Sequence, residues 1–232
     1  RFGRNITKRF SSFQEAEPET CEPWYEYHAA DEYSLSLGGA GHDLVAGTDG
    51  SYHTAEETYW QVWNDEEKPY PLGWYVRTRD GSVYSFTQSL WQTICWGEKC
   101  APEDGEYQPY RWLLTGAEDP HGNTTAYSYT TQVVDCPFKG DEVPAEEAAY
   151  LSEIRYNFLD GSPRTRIQFA LGPREDDSYA AANAQRCPSQ LKELYKLDRI
   201  TMSVYLDGDW VTVRTYTLTY SYDTYDDEGS DS

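Results

Sequence analysis

Residues 200–220, ITMSVYLDGDWVTVRTYTLTY, decide the fold class. β-Branched and aromatic residues lead up to Asp207-Gly208 and away from it, and an Asp-Gly pair tolerates the positive φ angles of a two-residue hairpin loop. On the outgoing run Tyr216, Leu218 and Tyr220 alternate with threonines, which is the side-chain period of a strand. The stretch therefore predicts an antiparallel hairpin with side-chain partners on both of its faces.

The same hairpin signal recurs along the chain, and the composition agrees with it. Strand-like runs flank two further Asp-Gly pairs, Asp80-Gly81 and Asp160-Gly161, and two more pairs occur at Asp49-Gly50 and Asp104-Gly105. The 21 Tyr and 8 Trp suit a pleated, half-buried surface, whereas the single Met argues against a helical fold. We expect an all-β fold of antiparallel hairpins with very little helix.

Helix is expected only in two short segments. Pro144–Tyr150 is rich in Ala and Glu and begins with a proline, which suits the first position of a helix. Asp177–Gln185 could form a second short helix within a loop. Neither segment is long enough to organise a fold.

Charge and length limit the functional classes. The 232 residues include 19 Lys and Arg against 40 Asp and Glu, which gives a formal net charge of −21. Such a surface repels phosphate backbones and anionic membranes, so nucleic acid is not expected as a partner. No apolar run approaches the roughly 18 residues of a membrane-spanning helix. The length fits one large all-β domain or two small ones.

The pattern along the chain divides it into three parts. Residues 1–32 show little periodicity and are expected to be an N-terminal arm or linker. Residues 33–222 carry the strand signals and form the predicted β-sheet domain, while 223–232 form an acidic, disordered tail. Because the chain begins at Arg1 without a visible signal peptide, we expect a processed product or a piece of a longer protein.

The cysteines and two tripeptides indicate an exported protein. Cys95 and Cys100 flank a four-residue turn that could bring their Cβ atoms within disulfide range. The five cysteines are an odd number, so at least one thiol is left free or pairs with another chain. Asn5 and Asn123 begin tripeptides of the N-glycosylation pattern. The expected location is secreted or on the cell surface.

One segment resembles a known repeat. Residues 112–129 contain the order D-x-x-G-N-x-x-x-Y-x-Y, whose marked positions resemble the unit of the YD (RHS) repeat family. In physical terms the pattern is a tight Gly-Asn turn that leads into a strand, and the alternate tyrosines of that strand stack on the neighbouring strand. The matching residues are Asp119, Gly122, Asn123, Tyr127 and Tyr129.

The resemblance extends over about residues 33–222. The runs around residues 33–86 and 150–200 are similar to the region that precedes the repeats in secreted insecticidal-toxin B components and SpvB-like proteins. The resemblance implies a curved, shell-like YD-repeat sheet whose partners are other segments or copies of such a shell. The chain has one good repeat unit, its cysteines are outside the family pattern, and the family's self-cleaving C-terminal segment has no counterpart here.

Other chemistries have weaker support. Asp207 with Asp209, and Asp176 with Asp177, could share a calcium ion, although Asp-Gly-Asp is also a good hairpin turn. A catalytic triad lacks the G-x-S-x-G motif that would locate its serine, and 40 acids single out no carboxylate pair for glycoside hydrolysis. Six tryptophans could stack on sugars or fill the core, and the core is favoured. They are Trp60, Trp63, Trp74, Trp91, Trp96 and Trp112.

These observations favour a non-enzymatic structural module of an exported YD-repeat shell or cell-surface assembly, which would encapsulate or present a toxin or act in cell contact. No cofactor is expected apart from the calcium alternative. A secreted carbohydrate-binding module that contacts a cell-surface glycan is the alternative function, followed by a glycoside hydrolase.

Overall fold

The computed structural model describes residues 5–9, 32–65, 71–94, 106–138, 141–174 and 194–221. These residues form thirteen strands in one antiparallel sheet whose spatial order follows the chain. The strands are β1 (Asn5–Arg9), β2 (Glu32–Leu37), β3 (Ala40–Ala46), β4 (Tyr52–Thr54), β5 (Gln61–Asn64), β6 (Trp74–Arg77), β7 (Val83–Ile94), β8 (Glu106–Glu118), β9 (Thr124–Phe138), β10 (Asp141–Leu159), β11 (Ser162–Pro173), β12 (Tyr195–Leu206) and β13 (Asp209–Thr217).

The all-β prediction is confirmed, and one of the two helix predictions is wrong. Pro144–Tyr150 lies within β10, which pairs with β9 from Asp141 onward. An isolated helix this short is marginal in water, so pairing along a whole strand outweighs the helix propensity of its Ala and Glu residues. Asp177–Gln185 lies outside the described residues. No helix long and apolar enough to cross a membrane occurs in the described ranges.

Strand β1 closes the first eight strands into a ring. Its residue Ile6 pairs with Leu35 of β2 on one edge and with Trp112 of β8 on the other. The β7–β8 ladder contains three register shifts. Bulges of this kind bend and twist a strand, which helps a sheet to curve and close on itself. β1 lies in the segment expected to be an arm or linker, and it is a strand of the sheet, paired on both edges. The domain boundaries at residues 32 and 222 stay a prediction.

The interior of the ring is filled with side chains. Tyr33, Trp74 and Trp112 meet there, with ring centroids 4.7–5.9 Å apart in tilted and T-shaped contacts. An eight-stranded ring is just wide enough for side chains to fill it, and this one is packed rather than hollow. The buried cluster comprises Ile6, Tyr33, Leu35, Leu37, Leu44, Val62, Trp74, Val76, Phe86, Trp112 and Leu114.

A long open sheet continues from the ring. β9 and β10 run for 15 and 19 residues and pack back on the ring, where Tyr129 and Ala149 contact a second buried cluster of Leu90, Tyr110 and Leu113. Beyond them, β11 and β12 are mostly half-buried and β13 is mostly exposed. The apolar core therefore lies in and against the ring.

The Asp-Gly pairs form two kinds of hairpin turn. Asp160-Gly161 and Asp207-Gly208 are two-residue loops with positive φ at both positions, as the sequence predicts. At Asp49-Gly50 and Asp80-Gly81 only the glycine has a positive φ, and the loops are longer. Asp104-Gly105 lies outside the described residues. The structure adds Gly38-Gly39, a two-residue loop between β2 and β3 that the Asp-Gly signal misses.

Replacing Ile6 by Ala tests the closure of the ring. Ile6 is fully buried, so we expect a loss of about 2–5 kcal/mol in the free energy of unfolding, measured by urea denaturation. The control is Val213→Ala, at a residue 61% exposed, where a change within about 0.5 kcal/mol is expected. Equal losses in the two variants would mean that β1 does not hold the ring closed.

Candidate functional site

The repeat-like residues Asp119 to Asn123 form the turn between β8 and β9. One carboxylate oxygen of Asp119, Oδ1, accepts hydrogen bonds from the backbone N–H groups of His121 (2.8 Å) and Asn123 (2.9 Å). The other, Oδ2, accepts one from the side-chain amide of Asn123 (2.7 Å). An aspartate that binds backbone amides within its own turn is an Asx motif, and here it fixes the whole loop.

Glycine at position 122 suits the backbone of this turn. Gly122 has a φ of 81°, in the left-handed region that disfavours residues with a Cβ atom. Its N–H donates to the carbonyl of Asp119 (3.0 Å), and the N–H of Asp119 donates to the carbonyl of Asn123 (3.0 Å). A Cβ atom at Gly122 would have nothing within 4 Å, so a substitution there acts through the backbone conformation and not through a clash.

Hydrogen bonding lowers the pKa of Asp119. The largest cause is the bond from the Asn123 side chain, followed by the bond from the Asn123 backbone N–H, while desolvation acts in the opposite sense. The carboxylate form is therefore the form that the turn binds. Stability from these bonds is present above the pKa of the unfolded chain and is lost as the pH falls through the lower pKa of the folded state.

The two tyrosines of the motif attach β9 to the ring. Tyr127 packs against the buried cluster inside the ring. Tyr129 donates its hydroxyl proton to the carbonyl of Leu114 at 2.9 Å and packs against the second cluster. β9 pairs with β8 only from Thr124 to Ala126, so this hydroxyl makes its contact beyond the end of the backbone ladder.

The same five-residue turn occurs three times among the residues that the structure describes. In each copy the N–H of the first residue donates to the carbonyl of the fifth, at 2.7–3.0 Å, and the fourth residue is a glycine with a φ of 81–90°. A turn repeated at three hairpins gives the chain a common way to reverse direction with small and polar residues. The copies are Gly47–Ser51, Thr78–Ser82 and Asp119–Asn123.

An aspartate side chain braces each copy. Asp80 accepts hydrogen bonds from the hydroxyl of Thr78 (2.6 Å) and the backbone N–H of Ser82 (3.1 Å). Asp49 accepts them from the hydroxyl (2.6 Å) and the backbone N–H (3.1 Å) of Ser51. The side-chain bonds are the largest cause of a lowered pKa at both aspartates. Part of the acidic excess of the chain thus serves in turn formation.

Of the remaining predicted site residues, the structure describes only Asp207 and Asp209 and the two glycosylation candidates. Cys95, Cys100, Asp176 and Asp177 lie outside the described residues. Asp207 and Asp209 flank the exposed β12–β13 loop, and within the described ranges no group of three His, Cys, Asp or Glu side chains could hold a metal ion. The calcium alternative therefore gains no support at this turn.

The two glycosylation candidates have side-chain partners. Asn5 accepts a hydrogen bond from the hydroxyl of Thr7 (3.0 Å), and the amide of Asn123 is bonded to Asp119. Glycosylation uses the amide nitrogen of Asn, so at Asn123 it would compete with the bond that fixes the turn. Both glycosylation sites stay predictions.

The tryptophans that the structure describes are not gathered into one sugar-binding platform. Trp74 and Trp112 are fully buried in the ring, as the core interpretation predicts, and the Trp112 N–H donates to the carbonyl of Pro71 at 3.0 Å. Trp63 stacks on Tyr75 at 5.6 Å, and Trp60 meets His42 at 5.0 Å. Trp96 lies outside the described residues. The aromatic residues serve packing at separate places on the ring.

The fold of the chain is similar to parts of two solved toxin structures. The chain matches part of the Photorhabdus luminescens Tc holotoxin pore with a TM-score of 0.52 and 13% identity, over 95% of this chain and 12% of that one. It also matches part of the crystal structure of TcdB2–TccC3–Cdc42 with a TM-score of 0.55 and 14% identity, over 94% of this chain and 12% of that one. The likeness confirms, as a likeness of fold, the resemblance to YD-repeat proteins of insecticidal toxins.

Two further results complete the comparison. The N-terminal domain of the effector SpvB from Salmonella typhimurium strain LT2 aligns with a TM-score of 0.44 and 15% identity, over 94% of this chain and 87% of that one. No protein-family model and no curated protein matches the sequence. The chain spans only 12% of the length of each of these two toxin chains.

Replacing Gly122 by Val tests the turn. We expect a loss of more than about 1 kcal/mol in the free energy of unfolding, because valine disfavours a positive φ. The control is Gly41→Val in β3, where φ lies outside the left-handed region and a Cβ atom would meet nothing within 4 Å. Stability of Gly41→Val should be unchanged or higher. An unchanged thermal midpoint in Gly122→Val would contradict the role of the turn.

Replacing Asp119 by Asn tests the carboxylate. At pH 7 we expect the variant to unfold at a lower temperature than the wild type, because the lowered pKa of Asp119 shows that the folded turn favours its charged form. The difference should shrink as the pH falls below the ordinary value of 3.8. Thermal melts of both proteins from pH 7 down to about pH 2.5 measure it. A difference that is independent of pH would refute the electrostatic explanation.

Proposed function

We propose that this chain is a structural section of a larger exported YD-repeat shell, without catalytic activity of its own. Such a shell would enclose or present a toxin, or act in contact between cells, outside the cell that makes it. Within it, the chain would contribute the closed ring and the first strands of a long sheet. The partners are other sections or copies of the same kind of shell.

The observation that carries this proposal is the open edge of β13. β13 pairs with β12 along one edge, from Asp209 to Thr217, and no described strand pairs with its other edge. An unpaired edge offers a row of backbone donors and acceptors to another strand. Val211, Val213 and Tyr216 of this strand are 45–61% exposed, which would suit a surface that a further strand partly covers.

The distribution of the core supports the same proposal. The buried clusters lie in and against the ring, whereas β11 to β13 bury few apolar side chains within this chain. A sheet of long strands with both faces exposed is more stable when another element packs on a face or a further strand pairs with its edge. The toxin chains of the same fold are about eight times as long, which gives such a sheet room to continue.

Native mass spectrometry of the protein purified from its source without reductant tests the proposal. We expect a mass well above 26.7 kDa, from additional copies or from a longer chain that contains this sequence. Hydrogen–deuterium exchange then locates the contact: the amides of β13 should be protected in the assembly and exchange faster in the isolated chain. β11, which is paired on both edges, is the internal control.

A pair of variants separates edge pairing from other contacts. Val213→Asp should reduce the recovery of the partner, because a charge on the terminal strand opposes strand addition. Val45→Asp is the matched control, since Val45 is similarly exposed at 54% but lies on β3 within the ring. A clean monomer, or an unprotected β13 in the assembly, would contradict the proposal.

A further inference from the structure

A groove lined by three arginines lies on the open sheet. Arg155 of β10 pairs directly with Arg166 of β11, and Arg164 is two residues away on the same face of β11. With Tyr205 and Trp210 these side chains surround a groove of about 520 Å³, which is within the usual size of a ligand pocket. The groove arises where β10, β11 and the β12–β13 hairpin lie side by side.

Two of the arginines have aromatic rings in place of carboxylates as partners. The guanidinium of Arg166 lies over Trp210 at 4.3 Å, and that of Arg164 lies over Tyr205 at 5.4 Å. Their Nε atoms are buried and make no hydrogen bond. Buried donors without an acceptor are rare and costly in folded proteins. Because the buried Nε atoms cannot be reached from the groove, an oxyanion there would bind the outer N–H groups of the same two guanidiniums.

The charge of the groove opposes that of the rest of the chain. Arg155 is half exposed and forms an ion pair with Glu153, which neutralises one of the three charges. Cations directly opposite each other on neighbouring strands repel, so the pair of Arg155 and Arg166 does not serve sheet pairing. In a chain with 40 acids, two arginines without a described carboxylate partner mark a local site for an anion.

The geometry also indicates which class of anion the groove would bind. Because the guanidinium of Arg166 occupies a face of Trp210, that face is not available to stack on a sugar ring. A guanidinium stacked on a ring still presents its in-plane N–H groups, and these match the two oxygens of a carboxylate. The groove is partly open to solvent and two of its arginines have no described carboxylate partner, so a segment of another protein could reach it with more than one carboxylate.

We propose that Arg155, Arg164 and Arg166 form a binding site for a carboxylate-rich peptide segment of another protein. Arg164 and Arg166 would each accept one carboxylate in a two-pronged hydrogen bond, while their aromatic partners hold the guanidinium planes in place. Arg155 would hold Glu153 in an ion pair at the rim, so that this carboxylate does not repel the bound segment. The site is on the face of the sheet and does not depend on strand addition at β13.

Fluorescence anisotropy with a labelled hexaglutamate peptide tests the site on the full chain. We expect saturable binding at about 0.1 M salt, although the net charge of −21 repels the probe elsewhere. The double variant Arg164→Gln/Arg166→Gln should bind at least about tenfold more weakly, as the loss of charge-assisted hydrogen bonds predicts. The matched control is Arg77→Gln, which removes an exposed arginine that lies over Trp63 at 5.9 Å in the ring.

Further probes make the result decisive. A hexaglutamine peptide should not bind, and a heparin hexasaccharide or inorganic phosphate should compete poorly with hexaglutamate. If the double variant is misfolded by circular dichroism, Arg155→Gln at the half-exposed rim position replaces it and should weaken binding by a smaller factor. No binding of hexaglutamate, tighter binding of the heparin oligosaccharide, or an equal loss in Arg77→Gln would overturn the proposal.

Discussion

The whole structure depends on one edge of strand β8, which two other strands share. Residues 116–118, at the C-terminal end of β8, pair with β9, and residues 111–113 of the same edge pair with β1. Between the two ladders, the carbonyl of Leu114 accepts the hydroxyl of Tyr129, so this buried acceptor is satisfied. Without β1 the core of the ring would face water, and without β9 the long sheet would lose its attachment.

The acidic composition is compatible with this fold because several carboxylates form part of its turns. Asp49, Asp80 and Asp119 each accept hydrogen bonds from the residues that they help to turn, and each has a lowered pKa. Backbone N–H groups and hydroxyls replace cations as their partners, so a turn can be built on a strongly acidic surface without a salt bridge. The charge of the chain is therefore partly a consequence of its many hairpins.

Local features could be predicted from the sequence, and features that depend on distant pairing could not. The hairpin at residues 200–220 carries its loop signal and its strand period within one short stretch, and it forms as predicted, although the side chains of β13 are mostly exposed and do not have partners on both faces. β1 is only five residues long, and its partners lie about 30 and 106 residues away, so no local pattern identifies it. The arginine groove depends on the register of β10 with β11, which brings Arg155 opposite Arg166.

The ring and the long sheet are stabilised in different ways, the ring by a buried core and the sheet mainly by contacts at its surface. The ring buries its own apolar side chains and closes on itself through β1. The long sheet instead depends on cross-strand pairs at its surface, among them the arginines over Tyr205 and Trp210. The edge of β13 that no described strand pairs with, and the arginines without a described carboxylate partner, both lie on this less buried part, which is where the proposals above locate contact with another chain.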